Sequence, residues 1–174
     1  MNNKIPERQI HRNLILPRWS IPFVWAGIVL VIQVLLPWAI ARIGPHFGWI
    51  QQTPSLWNFT GLIAVVIGLA LYSWCLVNHF RSYLASVSLS FNPPHLVVTG
   101  PYVFSRNPMY LSGLCTWLGW VVYYGSPAVF IAFVLLWSMF TFYIIPSEER
   151  QLEKLFSSQY LEYKRTVHRW IGRF

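Results

Sequence analysis

Four long apolar runs, almost free of charge, constrain what this chain can fold into more than any other feature. They fall at residues 21–41, 56–80, 109–124 and 128–145. A segment of this kind is at home in lipid, where the helix is the one unclosed structure that satisfies every backbone amide and carbonyl internally. The first run has about 21 residues, and at ~1.5 Å per residue it covers the ~30 Å hydrocarbon core. Pro37 predicts a kink in its last turns. Ala39-Ile40-Ala41 also resembles a signal-peptidase site, so a cleaved leader is the alternative reading of this run. Gly61 and Gly68 lie on the second run. Both are small enough to let a neighbouring helix approach, although their spacing is seven and not four. The third and fourth runs are short, and Gly125-Ser126-Pro127 between them predicts a tight helical hairpin, with one long kinked helix as the alternative reading.

Composition excludes several classes. The chain is 55% hydrophobic and 10% charged, outside the usual balance of a soluble domain, and its length suits one domain. Thirteen Lys and Arg stand against five acids, for a net charge of +8. None of the acids is Asp, which argues against Asp-rich Mg²⁺ or Ca²⁺ sites, and no metal site is expected. Nucleic acid is not the expected partner, because the basic residues flank apolar runs instead of forming a stripe with exposed aromatics. Membrane lipid is the simpler partner. Cys75 and Cys115 both fall inside apolar runs and read as small core residues.

Charge also sets the parity of the spans. With four of them, the amino terminus, the central loop and the tail share one side and hold 12 of the 13 Lys and Arg, leaving Arg42 on the other. By the positive-inside tendency both termini are then cytoplasmic. The expected fold is all-α, a polytopic membrane protein of about four transmembrane helices forming one domain over residues 1–174. Its parts are a basic segment at 1–20, spans within 21–145 that enclose a loop at 82–108, and a tail at 146–174. In the tail Pro146 suits the first turn of a new helix, and Glu148 and Glu149 suit its positive end. Leu152, Leu155, Phe156, Tyr160, Tyr163, Val167 and Trp170 recur at steps of three and four, with Arg150, Lys154, Lys164, Arg165 and Arg169 elsewhere. That pattern predicts a C-terminal amphipathic helix lying at the interface.

The polar stretch HLVVTGPYVFSRNPMY, residues 95–110, breaks the apolar pattern. Gly100-Pro101 is a turn signal, Asn107-Pro108 pushes the residue before the ring out of helix, and Pro93-Pro94 makes the preceding segment extended or turned. Non-helical backbone beside a membrane is either a surface connector or the wall of a polar site. Asn78 and His79, just before it, read as interfacial polar groups. The loop and Glu148-Glu149 both emerge at the cytoplasmic rim. Carboxylates there can accept two hydrogen bonds from a ribose diol or an ammonium group, Arg106 offers a bidentate donor for a carboxylate, and Tyr102 and Tyr110 offer rings for a planar base. Such a set suits a nucleoside-bearing, zwitterionic cofactor at the edge of a lipid-facing site.

LVVTGPYVFSRNPMY, followed some forty residues later by SEERQLEKLFSSQYLEYKRTVHRWI, resembles the isoprenylcysteine carboxyl methyltransferase family, to which phospholipid methyltransferases are similar. The resemblance covers about residues 79–171. It implies an integral membrane enzyme that uses S-adenosylmethionine to methylate a lipophilic or lipid-anchored substrate, such as the carboxylate of a prenylated cysteine, at the cytoplasmic face of a bacterial inner membrane. It further implies that Leu96, Val97, Gly100 and Tyr102 line the cofactor, that Asn107, Pro108 and Tyr110 shape its polar end, and that Glu148 and Glu149 bind it from the tail. Arg106 and Glu149 are the expected catalytic pair, Arg106 orienting an acidic substrate and Glu149 favouring the cationic cofactor. The chain departs from the family pattern at Asn107, where His is usual, at Ser112, where Gly is usual, at Ser157-Ser158, in place of a Phe-Gly turn, and at His168, where Pro often precedes the final Arg. Two other readings compete: a membrane reductase of the sterol-reductase type using NAD(P)H at the same rim, and a non-catalytic membrane interaction protein.

Overall fold

The computed structural model describes residues 27–83 and 95–174. The basic segment at 1–20, the start of the first apolar run, Pro93-Pro94 and the side chain of His79 lie outside the described residues. What is described is mainly helical. Helix α1, Gly27–Ala41, contains a π turn at Val31–Leu35. A connector with a two-residue strand pair, β1 Trp49–Ile50 and β2 Thr53–Pro54, leads to α2, Thr60–Tyr83. After a 3₁₀ turn at Gly100–Val103 come α3, Pro108–Tyr124, and α4, Pro127–Met139. A π turn at Phe140–Ile144 joins α4 to α5, Ile145–Thr166. Two of the described helices, Thr60–Asn78 within α2 and the continuous Pro127–Thr166, are long and apolar enough to cross a membrane.

The tightest packing is between α2 and α3, and small residues allow it. A Cβ on Gly61 would meet the carbonyl oxygen of Gly119, one on Gly119 would meet that of Gly61, and one on Gly68 would meet Thr116 Oγ1. Gly61 and Gly68 are two helical turns apart, so both face α3 although they do not form a four-residue pair. Cys115 Sγ lies 3.4 Å from the Ala64 carbonyl on the same seam. The α3–α4 hairpin turns where expected. Gly125 takes the left-handed conformation (φ 53°) that ends α3, and Ser126 Oγ accepts from Val129 N–H to start α4. At this end Asn58, fully buried, donates to the Val122 and Phe47 carbonyls and fastens the connector to the bundle. Trp49, Phe59, Trp120, Tyr123 and Tyr124 pack against one another at the same end.

Both π turns stop two residues before a proline, Pro37 in one case and Pro146 in the other. A proline inside a helix removes one N–H and presses its ring against the carbonyl four residues back. In a π turn the bonds reach one residue further: Leu36 N–H goes to the Val31 carbonyl and Ile145 N–H to that of Phe140, which widens the helix ahead of the ring. At Pro37 the carbonyl deprived of its usual donor is that of Gln33, and Trp120 Nε1 of α3 donates to it at 2.6 Å. The kink expected at Pro37 is thus a π turn tied to a neighbouring helix.

The tail departs from expectation in three ways. Pro146 does not start a separate helix, because the π turn carries α4 straight into α5. The helix breaks at Ser157 (φ 44°, ψ −115°) and ends at Thr166, so Arg169 and Trp170 are not on it. Its aromatic face does not lie on lipid either: Tyr160, Tyr163 and Val167 are buried against Leu96, Tyr102, Leu152 and Phe156. The central loop offers them apolar side chains and unpaired carbonyls, which a lipid surface cannot match. That face of the helix is therefore a clamp on the loop, while Leu155 and Leu161 on it stay exposed.

Candidate functional site

The loop after residue 94 is held from two sides. From α2, Asn78 Nδ2 donates to the Thr99 carbonyl at 3.1 Å, and its amide sits where a Cβ on Gly100 would fall. Gly100 has φ +61°, so both its conformation and this contact call for glycine. From α5, the Tyr163 hydroxyl reaches the Tyr102 carbonyl (2.7 Å) and the Ser105 carbonyl (3.3 Å). The segment after α5 turns back, with Val167 bridged to Arg173, and interlaces with the loop. Arg106 N–H donates to the His168 carbonyl (3.1 Å), Gly172 N–H to that of Phe104 (2.8 Å), and Asn107 Nδ2 to that of Arg169 (3.1 Å).

These ties orient the charged side chains. Glu149, buried in the first turns of α5, sits between two guanidinium groups. Arg169 reaches it with Nη2 at 2.7 Å from Oε2 and Nε at 3.3 Å from Oε1. Arg106 Nη1 lies 3.1 Å from Oε1, near enough for an ion pair though not aligned as a hydrogen bond, and both side chains are under a tenth exposed. The buried Nε of Arg106 has no acceptor among the described residues. The hydrogen bond to Glu149 is the main cause that raises the Arg169 pKa. Burial, then the Glu149 carboxylate, pushes the Tyr160 phenol up to about 12, and Arg106 partly opposes them. Glu148 points elsewhere and accepts from the Tyr110 hydroxyl at 2.5 Å.

Arg106, Tyr110, Glu148, Glu149 and Tyr160 line a cavity of about 460 Å³, with Arg169 behind Glu149. That size is within the ~300–1,000 Å³ range of small-molecule sites. Leu96, Val97, Tyr102, Arg106, Asn107, Pro108, Tyr110, Glu148 and Glu149 all line it. Gly100 does not, being packed on Asn78 instead. The rest of the lining is largely apolar, with Ile28, Val29, Ile32, Met109 and Phe140 beside Gln33 and Tyr72; both π turns contribute to it, and Phe140 packs on the Tyr110 ring at 4.7 Å. Sequence reasoning misses several contributors: Arg169 reads as part of the polar face of a helix, Tyr160 as part of its apolar face, and Gln33 and Tyr72, which line the cavity, carry no signal. The one prior signal for Arg169 was its place in the C-terminal segment that carries the resemblance. Among the described residues no group of three or more His, Cys, Asp or Glu is placed to hold a metal ion.

Residues 56–159 match the phospholipid methyltransferase family. A probable protein-S-isoprenylcysteine O-methyltransferase of Oryza sativa subsp. japonica is 33% identical over 114 residues, which is 64% of this chain and 59% of that protein. Protein-S-isoprenylcysteine O-methyltransferase A of Arabidopsis thaliana is 33% identical over 112 residues, covering 63% of this chain and 56% of its own length. Protein B of the same plant is 34% identical over 124 residues, covering 70% and 61%. The chain thus spans between 56% and 61% of the length of these relatives. No solved structure matches it.

Proposed function

The chain belongs to the phospholipid methyltransferase family, and from that premise we propose that it transfers a methyl group from S-adenosylmethionine to the carboxylate of a lipophilic or lipid-anchored substrate at the membrane rim. The observation that carries this reading is the composite cavity: Arg106 and Asn107 from the loop, Tyr110 from α3 and Glu148 and Glu149 from α5 share one lining with a set of apolar side chains. A small polar cofactor and a lipid tail need that pairing. The relatives named as isoprenylcysteine O-methyltransferases support a carboxylate substrate.

The residues fit the cofactor. Glu148, oriented by Tyr110, offers a carboxylate to a cationic or diol group, and the Tyr102 ring borders the same space. When bound, S-adenosylmethionine supplies an electrophilic methyl group on a sulfonium that is already an excellent leaving group. The protein's task is therefore positioning and exclusion of water. Arg106, with a buried N–H free of an acceptor among the described residues, holds the substrate carboxylate. Glu149 and Arg169 fix the plane of that guanidinium, a positioning role, because both Glu149 oxygens are already engaged. A carboxylate nucleophile carries no proton, so the transfer needs no general base. The apolar wall of Ile28, Ile32, Met109 and Phe140 receives the tail and keeps water out.

In this reading α1 to α4 are four spans of one domain, with both termini and the cavity on the cytoplasmic side, where the cofactor is made. Thermal stabilisation of the detergent-solubilised protein by S-adenosylhomocysteine and not by NADPH is the expected result. Labelled methyl should then pass to a component of a total lipid extract. Stabilisation by NADPH alone would overturn the proposal in favour of a reductase.

A further inference from the structure

The cavity wall supplied by α1 contains one group that a plain hydrocarbon tail cannot satisfy. Gln33 is the only amide, hydroxyl or charged side chain in Gly27–Ala41. Its backbone carbonyl is already taken by Trp120 Nε1 at 2.6 Å, so the π turn that presents it is held in place. Its side chain lines the cavity, and Oε1 is buried with no hydrogen-bond partner among the described residues. Gly113, on the facing helix α3, makes the room: the amide packs against it, and a Cβ there would lie 2.9 Å from Gln33 Nε2. An amide used only to join two helices would have both its edges paired, because an unpaired carbonyl in apolar surroundings is expensive. A donor from the ligand removes that expense.

We propose that the substrate carries a hydrogen-bond donor, a hydroxyl or an N–H, part-way along its apolar portion, and that Gln33 Oε1 receives it. This rests on the methyl-transfer reading above and narrows its substrate class. The depth follows from α3: Gly113 is five residues beyond Pro108, about 7.5 Å along the helix axis from the charged rim. The donor therefore belongs in the middle of the chain and not beside the carboxylate. Gln33 acts as a specificity determinant, the geometry favouring a substituted chain over an unsubstituted one.

The test uses the full chain in detergent, saturated with S-adenosylhomocysteine, and measures the affinity of tetradecanoate and of a positional series of its hydroxylated isomers. A mid-chain hydroxyl is expected to tighten binding about tenfold over tetradecanoate and over the 2-hydroxy isomer, equivalent to about 1.4 kcal/mol. Gln33→Met, similar in size but without the acceptor, should erase the preference and leave the affinity for S-adenosylhomocysteine unchanged. Gly113→Ala, which displaces the amide, should weaken the preference too, and it carries the test should Gln33→Met fail to fold. Equal binding of all isomers, or a preference that survives both variants, overturns the inference while methyl transfer stands. Failure of S-adenosylhomocysteine itself to bind overturns both.

Discussion

Arg169 closes on Glu149 at 2.7 Å from across the end of α5, after the chain has turned at Thr166 and come back along the loop it covers. Because Arg106 meets the same carboxylate from the other side, Glu149 is the hub that joins loop, helix and terminal segment. One carboxylate between two guanidinium groups leaves the cluster with a net positive charge, suited to one further carboxylate.

Removing the hub should cost more than removing its exposed spoke, Arg169. Glu149→Gln leaves Arg106 buried without its counter-charge, and a loss of about 3–5 kcal/mol in stability is expected. Arg169 is a third exposed, so Arg169→Ala should cost under about 1 kcal/mol while loosening the substrate carboxylate. Thermal unfolding in detergent, with substrate KM for the second variant, measures the difference. Equal destabilisation by both would remove Glu149 from the centre.

Tyr163→Phe deletes one oxygen and unties the loop. The Tyr102 and Ser105 carbonyls lose their donor, and Ser105 is fully buried, so about 1–3 kcal/mol should be lost. Proteolysis between residues 95 and 107 should accelerate, and turnover should fall more than cofactor affinity, since Arg106 follows directly on this segment.

Ser157 holds a backbone conformation that glycine adopts more readily (φ 44°, ψ −115°), and its side chain is exposed. Ser157→Gly should therefore stabilise the protein by about 1 kcal/mol, against the usual cost of glycine in a helix. A lowered melting temperature would mean that the break at this position is not needed for the return of the tail.

Alkaline pH should loosen the clamp. Burial raises the Tyr160 pKa from 10.0 to about 12 in the folded protein, so between these values the folded state binds more protons than the unfolded state. The associated stability is complete below pH ~10 and is lost as pH rises through about 12. Melting temperatures recorded from pH 9 upward should decline over this window, and Tyr160→Phe should flatten the decline. Tyr163 shifts in the same direction through burial, so some slope should remain in the variant.

The sequence by itself determined the apolar runs, the hairpin at Gly125-Ser126-Pro127, the small-residue seam at Gly61 and Gly68, and the two segments whose order and spacing mark the family. These are local or periodic properties, carried by backbone preference and by the cost of placing charge in lipid. It did not determine where the charges go. Pro146 reads as a helix start because proline forbids an ordinary continuation. Only the three-dimensional structure supplies the π turn that lets the helix run through, as it does at Pro37. Arg169 reads as part of a polar helix face because the pattern of threes and fours continues past the point where the helix ends. Its meeting with Glu149 depends on the break at Ser157 and on the reversal after Thr166, which the amphipathic pattern does not encode. Gln33 looks like a lone polar residue in a span. That its side-chain carbonyl faces a cavity unpaired depends on Trp120 and Gly113, about eighty residues further on and brought near by the packing of α1 against α3.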